Sequence, residues 1–209
     1  MNIAILTSPN QWFVSYVEKL NKEIVNSQVF FDHKKMNGNY DVVFILSYHK
    51  IIKQEYLSNN KHNIVIHASA LPNGKGWAPM FWQILEGKNK IPFTMFEASE
   101  DVDDGDIYMQ KTLTLSGYEL NYKLRKKQAE FIINMCIDFL DNYDDLEIST
   151  KQIGKESFYK KRTAKDSELD INKTIQEQFN LLRIVDNNDY PAFFYKDDKK
   201  YIIKIEEAN

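Results

Sequence analysis

The 209-residue chain is poor in the residues that mark specialised folds. It has one cysteine, Cys136, so no disulfide can form within it. That cysteine sits in the apolar run FIINMCIDFL and reads as a buried small hydrophobe rather than a nucleophile. No run is apolar for long enough to cross a membrane. The N-terminal NIAILT lacks a basic leader and is too short for a signal core. A soluble chain in a reducing, cytoplasmic setting is the expectation. No charge of one sign dominates: 27 Lys and Arg stand against 30 Asp and Glu, a net charge of −3. A chain that grips tRNA or duplex would be expected to carry a basic face, so nucleic acid is disfavoured as a partner. HExxH, CxxC, GxGxxG, the Walker pattern and GxSxG are all missing. Internal repeats and low-complexity tracts are missing too.

What is present suits one large domain. With 43% apolar residues the composition is that of a globular protein. At this length it can bury roughly 70% of its unfolded surface. Residues 2–7, 28–31, 41–47 and 63–67 are short apolar runs, and Trp12, Tyr16, Val17 and Leu20 recur at helical spacing after the first. Runs apolar on both faces suit central parallel strands covered by helices. The order predicts an open, mostly parallel, Rossmann-like α/β sheet. Such sheets bind ligands beyond the carboxyl ends of their strands, here residues 8–12, 47–50 and 67–76. Further on, the pattern predicts a helix over 79–85, strands over 91–98 and 106–115, and a long helix over 118–140. We place a catalytic domain at 1–145 and a short C-terminal extension at 146–209. The extension reads as a polar linker, a helix over 171–182 and a hairpin over 192–205 turned at Asp197-Asp198. It is expected to be a homodimer interface or a cap on the sheet.

Residues with special backbone or acid–base properties gather between His62 and Asp106. That stretch holds two of the four His, three of the five Pro, four of the seven Gly and two of the three Trp. His67 closes a predicted strand at the rim. His62 lies at that strand's entry, His33 in a polar loop, and His49 on the neighbouring rim turn, from which it could approach His67. Position alone favours a structural hydrogen-bonding role for His67. Glu100, Asp101, Asp103 and Asp104 crowd the loop before the last strand. Asp101, Asp103 and Asp106 resemble a calcium loop, but its closing Glu and flanking helices are missing, so no metal is expected. Asp103 stands apart, because Asp-Asp-Gly before an apolar strand returns the chain to the sheet beside His67. A His paired with a carboxylate is an acid–base pair suited to neutral pH.

The segments HASALPNGKGWAP, FWQILEG, IPFTMFEA and VDDGDIYMQ, in that order, resemble the 10-formyltetrahydrofolate-dependent formyltransferases. That family shows a His-Pro-Ser-Leu-Leu-Pro loop, an Arg-Gly turn, a Pro-x-x-x-Trp helix, a Gly-x-Thr strand and an Asp-x-Gly-x-Ile strand entry. DVVFILSYHKII is similar to its preceding strand and Ser-Tyr-Gly-Lys-Ile turn. QIGKESFYKKRTAKDSELDI, with NDYPAFF, is similar to the short C-terminal piece of the sugar-modifying branch. The resemblance implies that His67 and Asp103 are catalytic and that 10-formyltetrahydrofolate is the formyl donor. It implies a folate site between Tyr48, Lys50 and Ile51 on one side and Phe96 through Asp103 on the other. The family's Asn, two residues before the His, is Val65 here. Asn63 faces the same way but lies about 13 Å along an extended strand. The oxyanion donor is therefore left to Ser69, a backbone amide or protonated His67. Losing such a donor costs about 3 kcal/mol of transition-state stabilisation.

The acceptor amine is the remaining question. Methionyl-tRNA is disfavoured by the chain's length and mild acidity, since those enzymes carry a basic second domain. Glycinamide ribonucleotide fits the length, but the family's Gly-rich phosphate turn is replaced here by Ser8-Pro9-Asn10-Gln11-Trp12. Exposed Trp12 and Trp77 near the rim suit stacking on a sugar or base, though Trp12 can equally pack the first helix. We expect N-formylation of a UDP- or dTDP-linked 4-amino-4,6-dideoxysugar, pseudaminic-acid precursors included. Asn10, Trp12, Ser69, Lys75 and Trp77 are its expected contacts. The alternatives are a glycinamide-ribonucleotide-type formyltransferase, a folate- or nucleotide-binding module that has lost catalysis with Val65, and a formate-releasing hydrolase.

Overall fold

A computed structural model describes residues 1–145 and 149–208. The apolar runs become β1 (Ile3–Leu6), β2 (Gln28–Phe30), β3 (Val42–Ile45) and β4 (His62–His67), with α1 (Val14–Glu23) and α2 (Gln54–Leu57) between them. Then follow β5 (Lys75–Gly76), α3 (Pro79–Leu85), β6 (Lys90–Glu97), β7 (Ile107–Thr114) and α4 (Asn121–Asp141). The main sheet has the order β2-β1-β3-β4-β6-β7. Its first four strands are parallel, and β6 runs antiparallel to both β4 and β7.

Every residue of β1 and β3 is buried, as a strand covered on both faces requires. Ile3, Ile5, Val42 and Phe44 face a core with Phe13, Leu20, Phe93 and Phe139. The alternate residues Ala4, Leu6, Val43 and Ile45 face a smaller core with Tyr40 and Leu57. Burying each large side chain stabilises the fold by about 2 kcal/mol. Cys136 is buried in α4, and burial pushes its thiol pKa up. No helix among the described residues is long and apolar enough to cross a membrane.

The carboxyl ends of the strands are tied into one rim. Ser8 N–H donates to Ser47 O at 3.4 Å, and His49 N–H donates to Ser8 Oγ at 2.9 Å. His49 then meets the Trp77 ring edge-on at 5.2 Å between centroids. Loops after β1, β3 and β4 thus converge as the sheet rule expects.

After α4 come β8 (Phe158–Tyr159), α5 (Phe179–Ile184), β9 (Ala192–Lys196) and β10 (Lys199–Ile203). The expected division between residues 145 and 146 opens a stretch, 146–148, that lies outside the described residues. The polar segment that follows is no free linker. Thr150 exchanges two backbone hydrogen bonds with Ile107, and β8 pairs in parallel with β5. The expected helix over 171–182 is corrected to Phe179–Ile184. Asp170 accepts from Asn172 N–H, and Glu177 accepts from both the N–H and the hydroxyl of Thr174. These local bonds compete with helix hydrogen bonds and hold the preceding turns open. The hairpin turns at Asp197 and Asp198, with φ of 50° and 62°. Both residues in the left-handed region give the two-residue turn that matches strand twist.

Candidate active site

His67 is the last residue of β4, opposite Thr94 of β6. Its Nε2–H donates to the Gly74 carbonyl at 2.9 Å. A carbonyl only accepts, so Nε2 carries the hydrogen and Nδ1 is left facing Asp103 Oδ1 at 3.6 Å. Protonation of Nδ1 turns that approach into an ion pair. Both side chains are largely withdrawn from solvent, at 11% and 12% exposure, which strengthens the interaction.

Asp103 reaches His67 through a strained return. Its φ is 55°, a left-handed conformation that costs a non-glycine residue about 1 kcal/mol. Two residues on, Gly105 passes so close to β6 that a Cβ there would sit 1.4 Å from Glu97 O. Only glycine permits that approach. The loop is then pinned from three directions. Asp103 Oδ2 accepts from Gly76 N–H at 2.9 Å. Gln152 Nε2 donates to the carbonyls of Asp103 and Gly105, each at 2.9 Å. Lys75 Nζ pairs with Asp104 at 2.5 Å and with Glu156 at 2.7 Å.

Gln152 and Glu156 belong to the segment expected to be a linker. That segment runs as a strap along the catalytic loop: Ser157 O accepts from the N–H groups of Gly74 and Lys75, and Tyr159 O from that of Trp77. A Cβ on Gly76 would lie 2.5 Å from Tyr159 O, and its φ of 95° also demands glycine. Trp82 Nε1–H donates to Lys160 O at 2.9 Å and its ring stacks on Tyr159. Sequence reasoning missed Gln152, and polar residues without periodicity carried no signal for it.

Three expected substrate contacts are placed differently. Lys75 is no open cation but 3% exposed and neutralised by its two acids. Burial alone would depress its pKa, but the hydrogen bonds it donates to Asp104 and Glu156 outweigh that and raise the value. Ser69 is 2% exposed, and its Oγ has no partner among the described residues. Trp12 is half-buried, edge-on to Phe13 and Tyr16, with the Arg125 guanidinium 4.6 Å from its ring. Asn10, with φ 60°, and Trp77, 42% exposed, lie open on the rim.

On the expected folate side, Tyr48 is half-buried and its hydroxyl meets His33 Nδ1 at 2.6 Å. Burial raises the Tyr48 pKa and lowers that of His33. His33 is thus buried in a short turn rather than lying in an open loop. Lys50 pairs with Asp32, and Ile51 is exposed. Phe96 is 2% exposed, in β6 opposite Val65, so its side chain belongs to the core and only its backbone is left for a ligand. The two loops face one another, since Gln54 N–H donates to Glu100 Oε1 at 2.9 Å.

Val65 offers no donor. Asn63 does not replace the missing Asn, because its Nδ2 donates to Leu57 O and its Oδ1 accepts from Asn60. His49 does not pair with His67 but packs on Trp77. Burial, and then Lys161, lowers its pKa.

The Formyl transferase family model matches residues 15–137. Methionyl-tRNA formyltransferase of Ehrlichia canis is 33% identical over 141 residues, 67% of this chain and 46% of that protein. The chain thus spans about half the length of the curated relatives it matches. Methionyl-tRNA formyltransferase from Clostridium thermocellum superposes with a TM-score of 0.81 at 19% identity, covering 100% of this chain and 94% of that one. A 4-N formyltransferase from Francisella tularensis gives 0.76 at 18%, covering 100% and 98%. Both solved structures share the mostly parallel α/β fold. With the family model spanning more than half its residues, from α1 to α4, the chain belongs to the formyl transferase family.

Proposed function

We propose that this chain transfers the formyl group of 10-formyltetrahydrofolate to the amine of a UDP- or dTDP-linked 4-amino-4,6-dideoxysugar. The observation that carries formyl transfer is His67 Nδ1 facing Asp103 Oδ1 at 3.6 Å on the rim of the sheet. The donor supplies an activated formyl carbon, and the adjoining loops linked by Gln54 and Glu100 are our candidate for its folate side. Nδ1 of His67 accepts the proton that the amine loses as its bond to the formyl carbon forms. Asp103 stabilises the resulting imidazolium, and the same proton passes to the folate nitrogen as its bond to that carbon breaks. With Val65 in place of an amide side chain, oxyanion stabilisation falls to a backbone N–H or to the imidazolium itself.

The sugar assignment draws on the exposed Trp77 at the rim, the similarity of the C-terminal segment to the sugar-modifying branch, and the likeness to a 4-N formyltransferase. Methionyl-tRNA is the second reading, favoured by the curated relatives. An assay of tetrahydrofolate release against a panel of acceptors separates the readings. Turnover on a nucleotide-linked amino sugar is the expected result. Turnover on methionyl-tRNA or glycinamide ribonucleotide alone would replace the sugar and keep the reaction. Release without any acceptor would make the chain a hydrolase. Folate binding without turnover, unchanged in His67→Ala, would make it a binding module.

A further inference from the structure

The chain has only three arginines, and two of them stand on the rim without a counter-ion. Arg125 projects from α4 between two aromatic rings, 4.6 Å from Trp12 and 4.2 Å from Phe81. Its one side-chain hydrogen bond goes to Gln128 Oε1 at 3.2 Å. Arg162 spends its Nη2 on Asp166 O and Ser167 Oγ, and its buried Nε has no partner among the described residues. Lys161, the neighbour of Arg162, lies 4.8 Å from the ring of exposed Trp77. None of the three makes an ion pair with a carboxylate among the described residues, whereas Lys160 beside them is neutralised by Asp166 at 2.7 Å. Arg183, the remaining arginine, is paired with Glu119. Lys161 and Arg162 are adjacent in the chain: the charge of Arg162 bears on Arg125, that of Lys161 on His49, which packs on Trp77, and that of Asp166 on Arg162, short of contact distance. Asp186 is the acid whose charge reaches Arg125, short of contact distance.

Chain topology explains the grouping. Because β8 runs parallel to β5, the residues after Tyr159 continue beside Trp77 towards the start of α3. There Lys160 O accepts from Trp82 Nε1–H, and Lys161 lies over the Trp77 ring. Cations held in place by aromatic rings keep their charge available to an anion, and guanidinium groups match phosphate oxygens in geometry as well as charge.

We propose that Arg125, Lys161 and Arg162 form the anion subsite for the diphosphate of a nucleotide-linked acceptor, with Trp77 as the adjoining stacking surface. This rests on the reading of the acceptor given above and assigns residues to it. The carboxylates of the folate tail are the other anion to consider. The folate-binding arm of the test distinguishes the two anions.

The test is calorimetric titration of the full chain with UDP and with dTDP, comparing wild type, Arg162→Gln and the double variant Lys161→Gln with Arg162→Gln. Arg125 is left unchanged, because its loss would also unpack Trp12 and Phe81. The expected result is binding of at least one nucleoside diphosphate, weakened roughly tenfold for each cation removed and further by added salt. Tetrahydrofolate affinity should stay at its wild-type value, and the melting temperature should fall by no more than the few degrees that the two lost Arg162 hydrogen bonds account for. Wild type that binds neither nucleotide, or a double variant that binds like wild type, overturns the subsite. So does a loss confined to folate binding. The same preparations are assayed for formyl transfer. Turnover of a nucleotide-linked sugar with unchanged KM in the double variant sinks the subsite and leaves the activity. Nucleotide binding lost in the double variant, with no turnover of any acceptor, sinks the activity and leaves the subsite.

Discussion

Gln152 gives the sharpest quantitative handle on the site, because it touches no substrate and yet holds the catalytic loop. Its amide donates to two carbonyls, Asp103 O and Gly105 O, on either side of the Asp-Asp-Gly turn. Each neutral hydrogen bond contributes about 1 kcal/mol net, so the clamp is worth about 2 kcal/mol. That exceeds the roughly 1 kcal/mol that a left-handed Asp103 costs. Gln152→Ala leaves the loop to Gly76 N–H and the Lys75 pair, with the strain no longer offset. For a chain of this size the melting temperature should fall by about 4–8 °C. A carboxylate displaced by about 1 Å can cost a hundredfold in rate. The expected readout is therefore a fall in kcat with little change in KM for either substrate. Gln152→Glu should be worse than alanine at neutral pH, because it sets a carboxylate against two carbonyl oxygens. If Gln152→Glu retains the melting temperature and kcat of wild type, the positioning role is wrong.

Three further outcomes follow from named contacts. His67→Ala should lose at least about a hundredfold in kcat while its melting temperature falls by only about 2–4 °C, since His67 holds one hydrogen bond at a strand end. Gly105→Ala should lose more stability than Gln152→Ala in urea unfolding, because the new Cβ meets Glu97 backbone rather than a movable side chain. Glu119 is 4% exposed and pairs with Arg183 and Lys127. Burial alone would raise its pKa, but hydrogen bonds from Lys127 and from Ser116 N–H outweigh it and hold the value at about 2, against an ordinary 4.5. A carboxylate depressed on folding stabilises the protein above its unfolded value and loses that contribution as pH falls through the folded one. Unfolding free energy should thus drop by about 3 kcal/mol between pH 5 and pH 2 from this group, and Glu119→Gln should flatten that slope.

What could be read from the sequence was what is local. Four apolar runs became four parallel strands because each carries its own hydrophobic signal. Pro79 and Gly87 bounded α3 because proline and glycine act through their own backbone. The approach of Asp103 to His67 was legible because Asp-Asp-Gly before an apolar strand turns the chain back to the sheet, while a working role for the pair came only from the family resemblance. The strap from Thr150 to Arg162 was not legible, since its hydrogen bonds reach back to Gly74, Lys75, Trp77 and Ile107. A strand that pairs through backbone over such separations leaves no periodicity behind. Lys75 failed in the same way: between two glycines it reads as exposed, but acids 29 and 81 residues further along bury it. The tail helix was overextended because Thr174 and Glu177 suit either a helix start or a capped turn.

The strap also bears on how the chain is divided. A C-terminal appendage that merely capped the sheet would contribute apolar side chains to its core, as α5 does with Ile184. The strap instead spends its polar groups on the residues around His67. Gln152 holds the carbonyl of Asp103, Glu156 completes the neutralisation of Lys75, and Tyr159 O takes the N–H of Trp77. Beyond Tyr159 it carries two cations that no acid claims. One stretch of chain thus fixes the carboxylate that faces His67 and borders the surface proposed for the acceptor. A change of acceptor between relatives can then be made in the strap without touching the sheet, which is why substrate choice is better sought in residues 149–163 than in β4.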